Sequence, residues 1–248
     1  MTTQRNKQGG FTLIELAIVL VIIGLILGAI LKGQDLIVGA RGKKFINWVQ
    51  QWKVMQISHL DRKGRYAGDA IETRTTGTGG TYRGNGVIGN NSETSAFSDE
   101  ITTAKGFVDV PDTTLVLGNS AFFMSMGFDI PDVAFTAGSS GGTSVTSSEY
   151  LNVIAVTTAD GVAQALTVDE VAYMEMLDVA IDGVADAGSG RVQAIRGGGW
   201  GFTQGVGGNK RIVSDTYNLI VSGTAWSITH EGMLYYFDRD PAAIGGPL

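Results

Sequence analysis

Hydrophobic residues follow different spacings along this chain, and each spacing predicts a different element. Residues 11–31 form a 21-residue apolar run whose only ionisable side chain is Glu15. At about 1.5 Å of rise per residue, a helix of that length reaches roughly 31 Å, the thickness of the bilayer hydrocarbon. From residue 34 to about 62 the pattern turns amphipathic. Phe45, Trp48, Val49, Trp52, Met55 and His59 recur at steps of three and four, and Ile46, Val54, Ile57 and Leu60 widen the stripe. This predicts that the helix continues, with one face docked on a globular body. Gly39 and Gly42 predict a weak point before Phe45, since glycine lowers helix propensity by roughly 1 kcal/mol. His59 reads as a partly buried helix residue, because no second His, Cys or carboxylate cluster accompanies it.

Beyond residue 63 the chain is rich in Gly, Ser and Thr. Short runs of β-favouring residues predict strands at 114–117, 150–157, 190–195, 211–214, 217–221, 225–230 and 233–237. Residues 168–181 have helical spacing, and 92–105 form a candidate short helix. Residues 73–91 and 137–148 read as loops, and 197–208 as a glycine-dense hairpin or loop around Trp200 and Phe202. The fold class expected is therefore α+β. A long N-terminal helix (11–62, with 11–31 crossing the membrane) packs on a mainly antiparallel sheet in a head spanning 63–248. Residues 1–10 stand apart as a leader.

Glu15 has no ordinary packing explanation. A carboxylate in a membrane-length segment costs roughly 2.5–3.5 kcal/mol even on the lenient insertion scale, and such groups are functional by default. The leader carries Arg5, Lys7 and no acid, as a secretory signal peptide would. However, the apolar run is too long for a signal-peptide core, and Lys32-Gly33-Gln34-Asp35 offers no A-x-A-like cleavage site. The charge flanks favour the opposite orientation from the one adopted below. Arg5 and Lys7 precede the run, while Lys32, Arg41, Lys43 and Lys44 follow it, which by the positive-inside rule alone would place the C-terminal side in the cytoplasm.

Gly10-Phe11-Thr12-Leu13-Ile14-Glu15-Leu16, with Gly9 before it and the apolar run behind it, resembles the N-terminus of the type IV prepilin family. The resemblance implies a pilin-like fold, a cytoplasmic leader and an exported head. It also implies cleavage by a prepilin peptidase between Gly10 and Phe11, N-methylation of Phe11, and a role for Glu15 in filament assembly. Other pilin-like subunits and an inner-membrane assembly platform are the implied partners. Looser likeness continues through Leu31-Lys32-Gly33-Gln34-Asp35-Leu36-Ile37 and Asp61-Arg62-Lys63-Gly64-Arg65-Tyr66-Ala67-Gly68-Asp69. These look like a pilin-like group's G-Q-E-L-I segment and Y-x-D-R-Y-x-A-L-P-G-D turn, although the proline of that turn is missing and lysine replaces its usual aromatic residue. Residues 84–89 and pieces of 177–192 are also similar.

The resemblance gives Glu15 a physical role. Cleavage would leave a charged amine on Phe11, and opposite charges attract strongly at low dielectric. An incoming subunit's amine can pair with a neighbour's Glu15, or Phe11 and Glu15 can pair within one chain at i, i+4. Gly24-x-x-x-Gly28 offers a small-residue surface for close helix packing, although glycine is also common in membrane helices without that role. Many type IV pilins have a proline just after the apolar segment, but no proline occurs here before Pro111.

Charge and composition narrow the function classes. The chain has 248 residues and a net charge of −6, and removing the leader leaves 16 basic against 24 acidic residues. An acidic head is a poor partner for nucleic-acid phosphates. There is no cysteine, whereas many pilins close a C-terminal loop with a disulfide, and this leans toward a pseudopilin or a large-cored pilin. Gly84-x-Gly86-x-x-Gly89 matches the dinucleotide fingerprint in letters, but it lacks the flanking strand and helix. No nucleophile elbow, Walker lysine loop or zinc-protease motif occurs, so no enzyme activity and no cofactor are expected.

Asp178, Asp182 and Asp186 could supply oxygens to calcium. Helix capping and solvation are favoured over that role, so no metal site is expected, and Asp238 and Asp240 are read the same way. The expected function is a structural subunit of a type IV pilus-like filament, held in the bacterial inner membrane as a precursor and then built into a periplasmic or extracellular fibre. The alternatives are a type II secretion pseudopilin and, from another class, a membrane-anchored surface-binding protein that does not polymerise.

Overall fold

The computed structural model describes residues 12–69, 86, 88, 110–129, 151–159, 164–195 and 223–239. The expected helix at 92–105, the strands at 211–214 and 217–221, and the loops at 137–148 and 197–208 lie outside these residues, as does nearly all of 73–91. The elements in chain order are α1 (Leu13–Lys63), β1 (Thr114–Leu117), β2 (Ser120–Asp129), β3 (Leu151–Thr157), α2 (Val168–Asp182), β4 (Val192–Ile195) and β5 (Gly232–Tyr236). The chain divides into two compact units, Met1–Arg41 and Gly42–Leu248.

In the first unit residues 13–31 of α1 are apolar apart from Glu15, and the helix is long and apolar enough to cross a membrane. Residues 12–32 are exposed throughout. The helix continues through Gly39 and Gly42, so the weak point expected there does not interrupt it.

In the second unit the remainder of α1 buries one stripe: Phe45, Trp48, Val49, Trp52, Met55, Gln56 and His59. These positions are three or four apart and therefore share a face. Phe45 sits at a junction of elements, its ring 4.8 Å from Phe122 of β2 and 6.4 Å from Tyr173 of α2. Phe122 and Tyr173 close the triangle at 6.1 Å. Gly42 allows a close approach to α2, since a β-carbon there would run into the Met176 sulfur.

Polar groups at the end of the stripe fasten the turn that follows α1. Gln56 accepts from the Ala67 amide at 2.9 Å and donates to the Ala67 carbonyl at 3.2 Å. His59 Nδ1 lies 2.9 Å from the Arg65 carbonyl, and because a carbonyl only accepts, that nitrogen carries the proton. His59 is thus a buried structural residue of the helix.

The sheet runs in the order β1-β2-β3-β5-β4, and every neighbouring pair is antiparallel. β3 is central and buried along its whole length, its apolar run from Val153 to Val156 flanked by the buried polar Asn152 and Thr157. β2 was not among the expected strands. Its buried Phe122, Met124 and Met126 alternate with less buried Ala121, Phe123 and Ser125, a period of two in which the two phenylalanines favour a strand while alanine, serine and methionine do not announce one.

The strand expected at 225–230 is not formed. Several of its backbone hydrogen bonds are made locally instead: Ser227 N–H donates to His230 Nδ1 at 3.2 Å, Thr229 N–H to Ser227 Oγ at 3.2 Å, and His230 N–H to the Ser227 carbonyl at 3.1 Å. Side chains that bond nearby backbone compete with a ladder, and here they turn the chain just before β5.

Gly232 lies in β5 between two strands, opposite Thr157 on one side and Ile195 on the other. A β-carbon there would sit 2.6 Å from the Val156 carbonyl oxygen, and a backbone atom cannot swing aside. Gly232→Ala should therefore lower stability by about 1–3 kcal/mol, the range for overpacking a filled interior. Urea unfolding of the detergent-solubilised chain, followed by tryptophan fluorescence, measures this. An unchanged midpoint would show that β3 and β5 can separate freely at that point.

Candidate assembly site

The start of α1 is built by a reciprocal pair of residues. Thr12 precedes the first helical residue, where backbone N–H groups lack intrahelical acceptors. Its hydroxyl accepts from the Glu15 amide at 3.3 Å. In return Glu15 Oε2 accepts from both the Thr12 amide and the Thr12 hydroxyl, each at 2.8 Å. This is a capping box, an N-cap threonine paired with a glutamate three residues on. The carboxylate also lies at the positive end of the helix dipole.

Glu15 is exposed, and its intrachain partner among the described residues is Thr12. The sequence reading does not single out Thr12, although Thr-x-x-Glu ahead of an apolar run is the capping-box signature. Gly10 and Phe11 lie outside the described residues. Gly24 and Gly28 are exposed, and an added β-carbon at either would meet nothing within 4 Å. Their notch is open toward whatever surrounds the helix.

The weak calcium candidates occupy the far end of α2. That helix begins with its own capping box, in which the Thr167 amide donates to Glu170 Oε2 at 2.7 Å and the Glu170 amide to Thr167 Oγ1 at 3.4 Å. It ends at Gly183, whose φ of 81° is left-handed and suits glycine.

Just before and after that end, each aspartate holds backbone donors. Asp178 Oδ2 accepts from Trp226 Nε1 at 2.7 Å and from the Asp186 amide at 2.8 Å. Asp182 Oδ2 accepts from the Arg191 and Val192 amides at 2.8 and 2.9 Å. Asp186 accepts from the Gly188 amide at 3.0 Å, the Ser189 hydroxyl at 2.6 Å and the Gly223 amide at 2.8 Å. The three residues fasten α2 to the 183–192 segment and to 223–226. Among the described residues, no group of three or more His, Cys, Asp or Glu side chains is placed to hold a metal ion.

Asp238 belongs to a separate polar node. Asn152 Nδ2 donates to its Oδ2 at 2.8 Å and to the Gly86 carbonyl at 2.8 Å, while Asn152 Oδ1 accepts from the Ile88 amide at 2.8 Å. Burial raises the Asp238 carboxyl above the ordinary carboxylate range, against the bonds from Asn152 and the charge of Arg239. Gly86, from the dinucleotide-like letters, also donates its amide to Asp69 Oδ2 at 3.0 Å. Gly86 therefore joins segments of the head. Gly84 and Gly89 lie outside the described residues.

A family profile described as the prokaryotic N-terminal methylation motif, the type IV prepilin signature, matches residues 5–31. No curated protein and no solved structure compared with the chain matches it.

Proposed function

We propose that this chain is a structural subunit of a type IV pilus-like filament, made as an inner-membrane precursor and drawn into the fibre by α1. The signature at residues 5–31 supports a pilin- or pseudopilin-type subunit and points to a structural part. The observation that carries the filament reading is Glu15, an exposed carboxylate at the start of a membrane-length apolar helix within the matched motif. In this reading prepilin peptidase cuts after Gly10, Phe11 is methylated, and the Phe11 amine of one subunit neutralises Glu15 of the next. The open glycines at 24 and 28 let apolar helices pack closely in the fibre core.

The absence of cysteine favours a second reading, a type II secretion pseudopilin that builds a short periplasmic fibre. Both readings require polymerisation, whereas an anchored surface-binding protein does not.

Electron microscopy of sheared surface material, with antibody against the head, separates the three. Labelled long fibres are expected for a pilus subunit. Fibres seen only when the chain is overproduced beside a secretion system would favour the pseudopilin. Label confined to membranes under both conditions would refute assembly.

A further inference from the structure

We propose that Asp178 and Asp182 hold one proton between them, carried on Asp178 Oδ1, and that its loss loosens the join of α2 to the 183–192 segment and to 223–226. Asp178 is completely buried. Its Oδ2 is satisfied by Trp226 Nε1 and the Asp186 amide, yet its Oδ1 is also buried and has no hydrogen-bond partner among the described residues. An orphaned buried acceptor is unfavourable, and the neighbour able to remedy it is another carboxylate.

Asp182 lies one helical turn on, at the i, i+4 spacing that puts two side chains on one face of the helix, and its carboxylate adds to the rise at Asp178. Two ionised carboxylates can only repel and have no hydrogen to share, so the pair makes a bond only when one acid is protonated. Asp182 Oδ2 already receives two backbone amides. The completely enclosed Asp178, with a free oxygen, is the natural carrier of the proton.

Among the described residues, the surrounding groups supply no competing charge partner. From the loop, Asp186 adds an acid, while the Arg191 guanidinium donates instead to the Tyr236 and Phe237 carbonyls, both at 3.0 Å. From 223–231 the pair meets the Trp226 indole. Behind it His230 stands edge-on with ring centroids 5.8 Å apart, and its Nδ1 is an acceptor; Glu231 follows. Burial pushes Asp178 up to about 6, Asp182 adds to the rise, and the bonds from Trp226 and Asp186 oppose it.

The direction of the pH effect follows. The folded chain keeps a proton that the unfolded chain, with an ordinary value of 3.8, has lost. This contribution to stability is therefore present at low pH, falls as pH rises through the interval between those values, and is gone above it.

The test uses the full chain in detergent micelles. The side-chain carboxyl carbon of Asp178, followed by NMR, should titrate near 6. In Asp182→Asn, which still accepts from both amides and can donate to Asp178 Oδ1, the midpoint should move down toward the ordinary range. In Asp178→Asn the amide reproduces the protonated acid. Its urea midpoint should match wild type under acid conditions and exceed it at neutral pH. A wild-type Asp178 midpoint near the ordinary 3.8 would overturn the proposal, as would a midpoint unmoved by Asp182→Asn. The wild-type titration decides the matter even if a variant fails to fold.

Discussion

Replacing Gly10 with valine should abolish processing, leaving a precursor that begins at Met1 and lacks a methyl group. The leader ends in Gly9-Gly10, directly before the apolar run, and the matched motif spans this junction. A peptidase that cuts there must bring its reacting groups against a backbone without a side chain, and glycine permits that approach. A misfit costing about 3 kcal/mol in the transition state slows cleavage roughly a hundredfold. Intact-mass spectrometry reads the outcome directly. The wild-type protein should begin at Phe11 with one added methyl, while Gly10→Val should retain residues 1–10. Assembled wild-type material that still begins at Met1 would end the prepilin assignment, whatever the fold of the head.

Substituting Glu15 should leave membrane insertion and cleavage intact but largely exclude the subunit from fibres. Removing the charge eases insertion, because a carboxylate within an apolar segment is unfavourable. Assembly is a different matter. Two unit charges 4 Å apart attract by about 4 kcal/mol at an effective dielectric of 20, and each 1.4 kcal/mol is about tenfold in an equilibrium. Incorporation beside wild-type subunits should therefore fall at least tenfold in Glu15→Ala or Glu15→Val.

The capping box at Thr12 makes a sharper variant available. Alanine or valine removes the charge and also the acceptor for the Thr12 amide and hydroxyl. Glutamine is accepted at the same capping position and keeps those bonds while carrying no charge. If charge pairing governs assembly, Glu15→Gln should fail as badly as Glu15→Val. If Glu15→Gln assembles normally, the helix start is what matters and the charge-pairing mechanism is wrong. Quantifying tagged subunits in sheared fibres, normalised to processed protein in the membrane, distinguishes the two.

The helices were legible because their causes are local. A membrane-length apolar run needs only its own composition to declare itself, and the docking stripe from Phe45 to His59 repeats with the helix period. α2 carries its start signal in Thr167 and Glu170 and its stop in Gly183, all within or beside the element. β1, β3, β4 and β5 each fell on or beside an expected strand, since short apolar runs flanked by turn residues have few other uses.

Both failures turn on pairing that composition does not show, across a two-residue turn and a longer crossing for β2 and across 48 residues for Trp226 and Asp178. β2 is a strand because β1 and β3 supply ladders on both sides, which compensates for its serines, methionines and glycine. Residues 225–230 have strand-like composition, but the buried Trp226 indole is claimed by Asp178, 48 residues earlier, and the following residues close their bonds within a turn.

The sequence by itself determined three N-terminal features of this protein: the Gly9-Gly10 pair, the apolar length behind it, and an acid where none is needed for packing. Each is a property of adjacent residues, readable from composition and spacing. Only the tertiary structure decided what the aspartates at the end of α2 do. Spacing alone allowed calcium ligands, helix caps or solvated charges, because a carboxylate's role depends on which donors reach it. Folding brings the Arg191 and Val192 amides to Asp182 and the Trp226 indole to Asp178, and it buries one Asp178 oxygen without a hydrogen-bond partner among the described residues.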